Sequence, residues 1–451
     1  MSLRLETLFL LLSLSLGLLY IALTPPLRNF DESSHLLKIF ALTNLETGPA
    51  TIPDDVREFV LRYRPSHVVD KGLRYSFPTI LDELGTRSDY SKTHTMQSNT
   101  ADGYFMIVYW PAVLTTAILK HVYPSTMLIL YMARLSMLIT ATLILYATIK
   151  RAAIQPRLLL LISLAPMALF LRAGLGADCL TYAYCVAFIN LALASRHQPS
   201  ARHFYGLLAL GIAVGLSKNV YIGLVLLTLI APRFPLPLLT SAHLQKAVLI
   251  GLPCLATALW SYYVTSVIHI GTESFNYFNR YTEVGSWFQK EVDAHKQLAY
   301  IMEQPFHYGL ILIGSLCFWL ITQSPSILGV IDTNLSFEYG GSYLLLGVAA
   351  LLLLYSNTGH YTYRQRSVFA IICALLIGAI FTAMYLYFVS VQNGYIYGVQ
   401  GRYFLPLLPL LLAIFSYTPR KPPRIPVLTF ALPLWIILNA QALYMIYALN
   451  F

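Results

Sequence analysis

The stretch FLLLSLSLGLLYIALTPPLRNFDESSH, residues 9–35, decides how the rest of the chain is read. From Leu8 to Leu23 there is no charge, and Arg4 stands just ahead. That run approaches the roughly 20 apolar residues a helix needs to cross a bilayer. Pro25 and Pro26 then end the helix, because proline lacks the amide proton and clashes with the preceding turn. An acidic pair, Asp31 and Glu32, follows within a few residues. A cleaved signal peptide would share the basic start and apolar run, but no small-x-small site precedes Pro25. Segment 7–23 is therefore predicted to remain as a first membrane span, with carboxylates where it leaves the bilayer.

The whole chain repeats this pattern. Of 451 residues, 57% are hydrophobic and only 11% charged, whereas a soluble domain carries about 25% charge. The mean hydropathy is +0.63. A net charge of +10 comes without any Lys/Arg-rich run or soluble basic domain, so nucleic acid is not the implied partner. The basic residues between apolar runs read instead as topology signals. Cys179, Cys185, Cys254, Cys317 and Cys373 all lie in apolar stretches and suggest neither a disulfide framework nor a Cys metal site. The eleven histidines show no zinc-ligand spacing, and no Walker loop, dinucleotide fingerprint or Gly-x-Ser-x-Gly elbow occurs.

After 7–23, crossings are predicted at 126–149, 158–172, 178–195, 204–217, 219–231, 247–268, 341–356, 368–390, 403–418 and 426–448. Two apolar stretches, 104–121 and 305–322, suit either a crossing or a helix in the interface. The positive-inside rule favours the second. It keeps Lys150, Arg151, Arg157, Arg196, Arg202, Arg233, Lys246, Arg364, Arg366, Arg420, Lys421 and Arg424 cytoplasmic. Under that layout only Glu6 of the 20 acidic residues faces the cytoplasm. The expected fold is one all-α polytopic membrane domain, 1–451, with about 11 transmembrane helices (11–13) and no internal repeat. A long first extracytoplasmic loop, 24–125, contains interfacial helices, and a second extracytoplasmic, half-inserted region covers 269–340. A thirteen-span layout, with both ambiguous stretches crossing, would reverse the loops between them.

Four positions carry chemistry worth weighing. Asn29 is predicted to cap a helix with Glu32 as its capping-box partner. On that helix Asp31, His35 and Lys38 share a face, since residues three and four apart are neighbours. The structural alternative is that Asp31 and Glu32 merely complement the helix dipole. Asp178 ends the turn Arg172-Ala-Gly-Leu-Gly-Ala-Asp178. A carboxylate costs about 2.5–3.5 kcal/mol near the bilayer centre and less toward the surface, so it must be paired, hydrated or functional. Its alternative is a helix-capping Asp paired with Arg172. Lys218 sits mid-way through 204–231, a region too long for one crossing and short for two. A hairpin would put its ammonium near lipid phosphate, or it simply snorkels. Arg402, in Tyr395-Ile-Tyr-Gly-Val-Gln400-Gly-Arg402-Tyr403, combines glycines for close approach with a guanidinium suited to phosphate. An interfacial anchor is its alternative. Arg134, eight residues into its span, needs a partner and could line the same cavity. Asp31, Glu32 and Asp178 could hold a divalent cation if they met; no other cofactor is indicated.

The acidic pair after the first span, the long outer loop, Tyr109-Trp110-Pro111 and the turn at Asp178 together resemble the GT-C glycosyltransferase superfamily. More closely, the chain resembles a bacterial group of predicted membrane proteins placed in that superfamily. The resemblance rests on Pro25-Pro26 through Asp31-Glu32-Ser-Ser-His35, Ala173-Gly-Leu-Gly-Ala-Asp178, Lys218-Asn-Val-Tyr221, Leu328-Gly-Val-Ile-Asp332-Thr333 and Gly398-Val-Gln-Gly-Arg402-Tyr-Phe-Leu-Pro406. It implies a bacterial inner-membrane enzyme that takes a sugar from a polyprenyl-phosphate donor on the periplasmic side. The acceptor it implies is an envelope glycan or glycolipid, such as O-antigen. Asp31 would be the general base, with Glu32 beside it and Asp178 orienting the acceptor or the base. Lys218, Arg402 and Arg134 would bind the donor phosphate, and His35, Tyr109, Gln400 and Tyr403 would line the substrate. One departure concerns acceptor recognition: the Pro-Pro-Leu-like motif of several GT-C families is replaced around Tyr104–Pro111.

Two rival readings stay open at this stage. A transporter or flippase of lipid-linked sugars would predict inverted repeats and charges near the midplane. A membrane glycan polymerase or acyltransferase would share the outer face but use other chemistry.

Overall fold

A computed structural model describes residues 4–64, 74–96, 99–237, 239–268, 292–329, 361–415 and 427–451. The first span is helix α1, Leu5–Leu23. After the two prolines comes α2, Glu32–Thr43. Its N-cap is Asp31, not Asn29, and Asp31 takes a left-handed backbone with φ of 53°. The expected capping box is absent because both of its side chains have other work. Asn29 donates to the Phe170 carbonyl at 2.7 Å, and Glu32 is drawn into the helix bundle.

The first loop is not purely helical. Strand β1, Ala50–Pro53, pairs antiparallel with β2, Thr93–Met96. Around this short ribbon lie α3, Asp54–Tyr63, and α4, Phe77–Leu84. The loop ends in α5, Trp110–Val122, which starts on Pro111 in the first turn, where a missing amide proton costs nothing. Its 13 residues rise about 20 Å, short of the roughly 30 Å hydrocarbon layer.

The bundle proper begins with α6, Thr126–Lys150. Segment 158–172 is a broken helix, α7 at Pro156–Ser163 and α8 at Pro166–Arg172. Pro166 interrupts the ladder, and other groups take up the freed backbone. Asn439 donates to the Leu164 carbonyl at 2.9 Å, and Arg172 donates to the carbonyls of Ser163 and Ala168. Most residues of α9, Asp178–Ala194, are buried and none is exposed, which marks it as a central helix.

A change of helix type fits two elements into 204–231. Helix α10, Ala201–Ser217, has 17 residues and rises about 25 Å. Asn219–Ile230, 12 residues, then forms a 3₁₀-helix, and at about 2.0 Å per residue it rises about 24 Å. Lys218 is the junction between them. The chain continues through α11, Ala242–Tyr263, α12, Ala294–Glu303, α13, Pro305–Thr322, and α14, Tyr363–Tyr387. It closes with α15, Leu408–Ile414, and α16, Val427–Asn450.

Among the described residues, six helices are long and apolar enough to cross a membrane: Leu5–Leu23, Thr126–Lys150, Ala242–Ser266, Pro305–Thr322, Tyr363–Tyr387 and Ala431–Asn450. The expected crossings at 178–195, 204–217 and 219–231 are shorter apolar helices. The one expected at 341–356, all of 269–291 and 330–340 (with Asp332 and Thr333), and Arg420, Lys421 and Arg424 lie outside the described residues.

Contacts between chain ends constrain the path. Asn450, at the end of α16, accepts from Arg28 Nε at 2.9 Å and from the Tyr75 amide at 2.9 Å. Thus α1 and α16 both end at the first-loop end of the bundle. The stretch 305–322 lies across its neighbour. Tyr308 stacks on Tyr385 and Trp319 meets Phe381, contacts eleven residues apart on α13 but four apart on α14. These spacings are about 16 Å and 6 Å, so α13 sits athwart the end of α14 rather than alongside it.

Candidate functional site

Asp31, Asp178, Lys218 and Arg402 come from four separated segments and meet in one ion network. Arg402 lies at its centre. Its Nη2 is 3.1 Å from Asp31 Oδ2 and its Nε is 3.2 Å from Asp178 Oδ2. The other oxygen of Asp178, Oδ1, accepts from Lys218 Nζ. A single full crossing by 104–121 would have sent Asp178 to the opposite end from Asp31. Their shared partner places the two carboxylates at the same end.

The four members differ in access to the surroundings. Arg402 is 5% exposed, Lys218 and Asp178 are each 14% exposed, and Asp31 is 69% exposed. The Phe30 ring covers the guanidinium at 3.8 Å from Cζ, and the Tyr403 ring lies 5.0 Å from Lys218 Nζ. Both contacts favour cations. Tyr104 approaches Lys218 from another side at 5.8 Å. Arg402 Nη1 is buried without a hydrogen-bond partner among the described residues.

Backbone supports hold each member in place. Gly398, with φ of 82°, turns the chain in a way that suits glycine. The following strand of loop is pinned by α13 and the turn after it: Trp319 donates to the Val399 carbonyl at 2.8 Å, and Ser326 Oγ accepts from the Gly401 amide at 3.1 Å. Tyr221 holds the Tyr403 carbonyl at 2.7 Å, which ties the Arg402 loop to the 3₁₀-helix beyond Lys218. Asp178 opens α9 on the turn after Arg172, and that turn is fastened to the first loop by Glu32, which accepts from the Leu175 amide at 3.2 Å.

Several expected roles change. Glu32 and Arg134 are both fully buried and form a bidentate pair, at 2.8 Å and 2.5 Å. Arg134 also donates to the carbonyls of Thr24 and Pro25. Neither group can reach a substrate, so Glu32 leaves the catalytic set and Arg134 leaves the phosphate-binding set. Arg172 does not pair with Asp178; besides the carbonyls above, it donates to Ser13 at 2.7 Å. The face expected to unite Asp31, His35 and Lys38 divides three ways. Lys38 forms a buried ion pair with Asp102 at 3.1 Å, and His35 Nδ1 meets the Tyr109 hydroxyl at 2.6 Å. Tyr109 is fully buried, so it supports His35 instead of lining a substrate path. Gln400 is exposed beside Arg402, and Tyr403 does border the network.

The three carboxylates suggested for a divalent cation do not converge. Asp31 and Asp178 face cations, and Glu32 faces Arg134. Among the described residues no group of three His, Cys, Asp or Glu side chains has metal-holding geometry. Phe30, Tyr104 and the 315–326 buttress were not anticipated. Phe30 had a visible cue, an aromatic next to Asp31, but the buttress depends on contacts more than seventy residues apart.

His35 supplies a pH-dependent prediction. Burial is the largest cause that lowers its pKa, to about 4 from 6.5, against the opposing pull of Asp31 and Asp178. A depressed folded-state pKa favours the neutral ring, so this stability is complete above pH 6.5 and is lost as pH falls toward 4. We expect thermal stability to decline across that window, and His35→Gln to flatten the slope. An unchanged slope in the variant would assign the decline to another group.

Fold and site together define a multi-pass integral membrane protein with a two-carboxylate, two-cation network at one end of its helical bundle. Residues 14–411 match the family model described as "Predicted membrane protein (DUF2142)". The chain belongs to that family. The comparisons with curated proteins and with solved structures yielded no match.

Proposed function

We propose that the protein is a GT-C-type glycosyltransferase of the bacterial inner membrane. It moves a sugar from a polyprenyl-phosphate donor to an envelope glycan or glycolipid, such as O-antigen, on the extracytoplasmic face. The observation that carries this reading is the meeting of Asp31, Asp178, Lys218 and Arg402 in one network, with the carboxylate of Asp31 open to the surroundings.

The chemistry follows from that arrangement. Arg402 and Lys218 neutralise the donor phosphate as the glycosidic bond breaks and charge builds on the leaving oxygen. Asp31 accepts the acceptor hydroxyl proton while that oxygen attacks the anomeric carbon from the face opposite the phosphate. One bond forms, one breaks, and the sugar inverts. Asp178 touches both cations and serves as a positioning residue for them, a different role from orienting the acceptor.

Lys218→Ala and Arg402→Ala test the phosphate assignment. Loss of one charge-assisted contact is worth about 1.5–3 kcal/mol, so donor affinity is expected to fall about 10- to 150-fold. Wild-type donor kinetics in both variants would put the phosphate elsewhere. The flippase reading predicts instead that these variants slow donor translocation in vesicles while no polyprenyl phosphate is ever released.

A further inference from the structure

We infer that Asp31 and the donor phosphate compete for one place on Arg402, and that phosphate binding displaces Asp31 and so frees the base. This deepens the reading above and rests on it. The account assigns an order, donor before acceptor, because the phosphate's arrival on Arg402 is what releases the Asp31 carboxylate to the acceptor.

Three observations support the inference. The first is charge. The network holds two cations and two carboxylates. A polyprenyl-phosphate sugar is a phosphodiester with one negative charge, so it can replace one carboxylate with no change in the network's total. The second is the uneven hold on the two carboxylates. Asp178 is 14% exposed and bridges both cations, whereas Asp31 is 69% exposed and, among the described residues, pairs with Arg402 alone. Exposed ion pairs are weak because water and salt screen them, while nearly buried ones are costly to break. Asp31 is thus the member that yields. The third is the unfilled capacity of Arg402. Its Nη1 is buried and has no hydrogen-bond partner among the described residues, in a side chain only 5% exposed. A carboxylate on Nη2 leaves that donor idle; a phosphate, with more acceptor oxygens, can engage both.

Charge also balances through the turnover. The donor phosphate begins at one negative charge and leaves as a phosphomonoester carrying about −1.5 to −2. Asp31 meanwhile takes the acceptor proton and becomes neutral. When Asp31 later loses that proton, its carboxylate returns to compete for Arg402 and favours release of the product.

Titration of the purified protein with farnesyl phosphate tests the idea, using Asp31→Asn and Asp31→Gly. Asparagine and glycine both tolerate the left-handed backbone at this position, so the fold is retained. Both variants are expected to bind farnesyl phosphate about two- to fivefold more tightly than the wild type, the gain from removing a weak competitor. The gain should shrink as salt rises. Equal or weaker binding by both variants, with the wild type still binding, would overturn the displacement and leave the phosphate site standing. Absence of binding by all three proteins would overturn the donor reading itself.

Discussion

Asp31→Asn is expected to lower sugar transfer by about 10²–10⁴-fold, the range lost when a general base is removed. The variant should stay folded, because the Asp31 side chain is 69% exposed and an asparagine oxygen can still accept from Arg402. Asparagine also accepts the φ of 53°. Donor binding should survive, since Arg402, Lys218 and Asp178 remain. The expected signature is therefore a collapse of kcat with donor affinity kept or improved. Comparing transfer and farnesyl phosphate binding on one preparation reads both. Full turnover in Asp31→Asn would remove it from the role of base.

Glu32→Ala should have the largest effect on stability and none specific to the chemistry. It leaves Arg134 buried without its counter-charge, and breaking a buried pair from one side costs about 3–5 kcal/mol. It also strands the Leu175 amide, which Glu32 holds at 3.2 Å. Membrane proteins often unfold irreversibly, so the useful readout is the rate of heat inactivation in detergent. We expect faster inactivation in Glu32→Ala and in Arg134→Met, and partial recovery in the double variant, where no charge is left unpaired. Loss of turnover at unchanged heat stability would return Glu32 to the catalytic set.

That pair marks where sequence reasoning stops. Asp31 and Glu32 are adjacent and chemically alike, and spacing alone treats them as a unit. The αL turn at Asp31 separates them, sending Glu32 inward to Arg134 and leaving Asp31 outward beside Arg402. Arg134 was recognisably in need of a partner, since a lone guanidinium within a span is costly. Which acid would serve could not be read without the fold. Lys218 shows the reverse. Its position at a hairpin junction was legible because 204–231 is the wrong length for one or two α-helical crossings. The 3₁₀-helix that resolves the length leaves no periodic trace in a segment apolar on every side. The first-loop ribbon was missed for a related reason: β1 and β2 are four residues each, too short for alternation to stand out. The helical bundle itself was legible from hydropathy alone, since only helices or closed barrels span lipid.

The most direct measurement of the central claim is the release of free polyprenyl phosphate. Purified wild-type protein and Asp31→Asn would each be incubated with a panel of polyprenyl-phosphate sugars and an envelope-glycan extract as acceptor. The account predicts release from at least one donor by the wild type, matched by sugar gained in the acceptor, and strongly reduced release by the variant. No release from any donor by folded wild-type protein, or equal release by the two proteins, would contradict it.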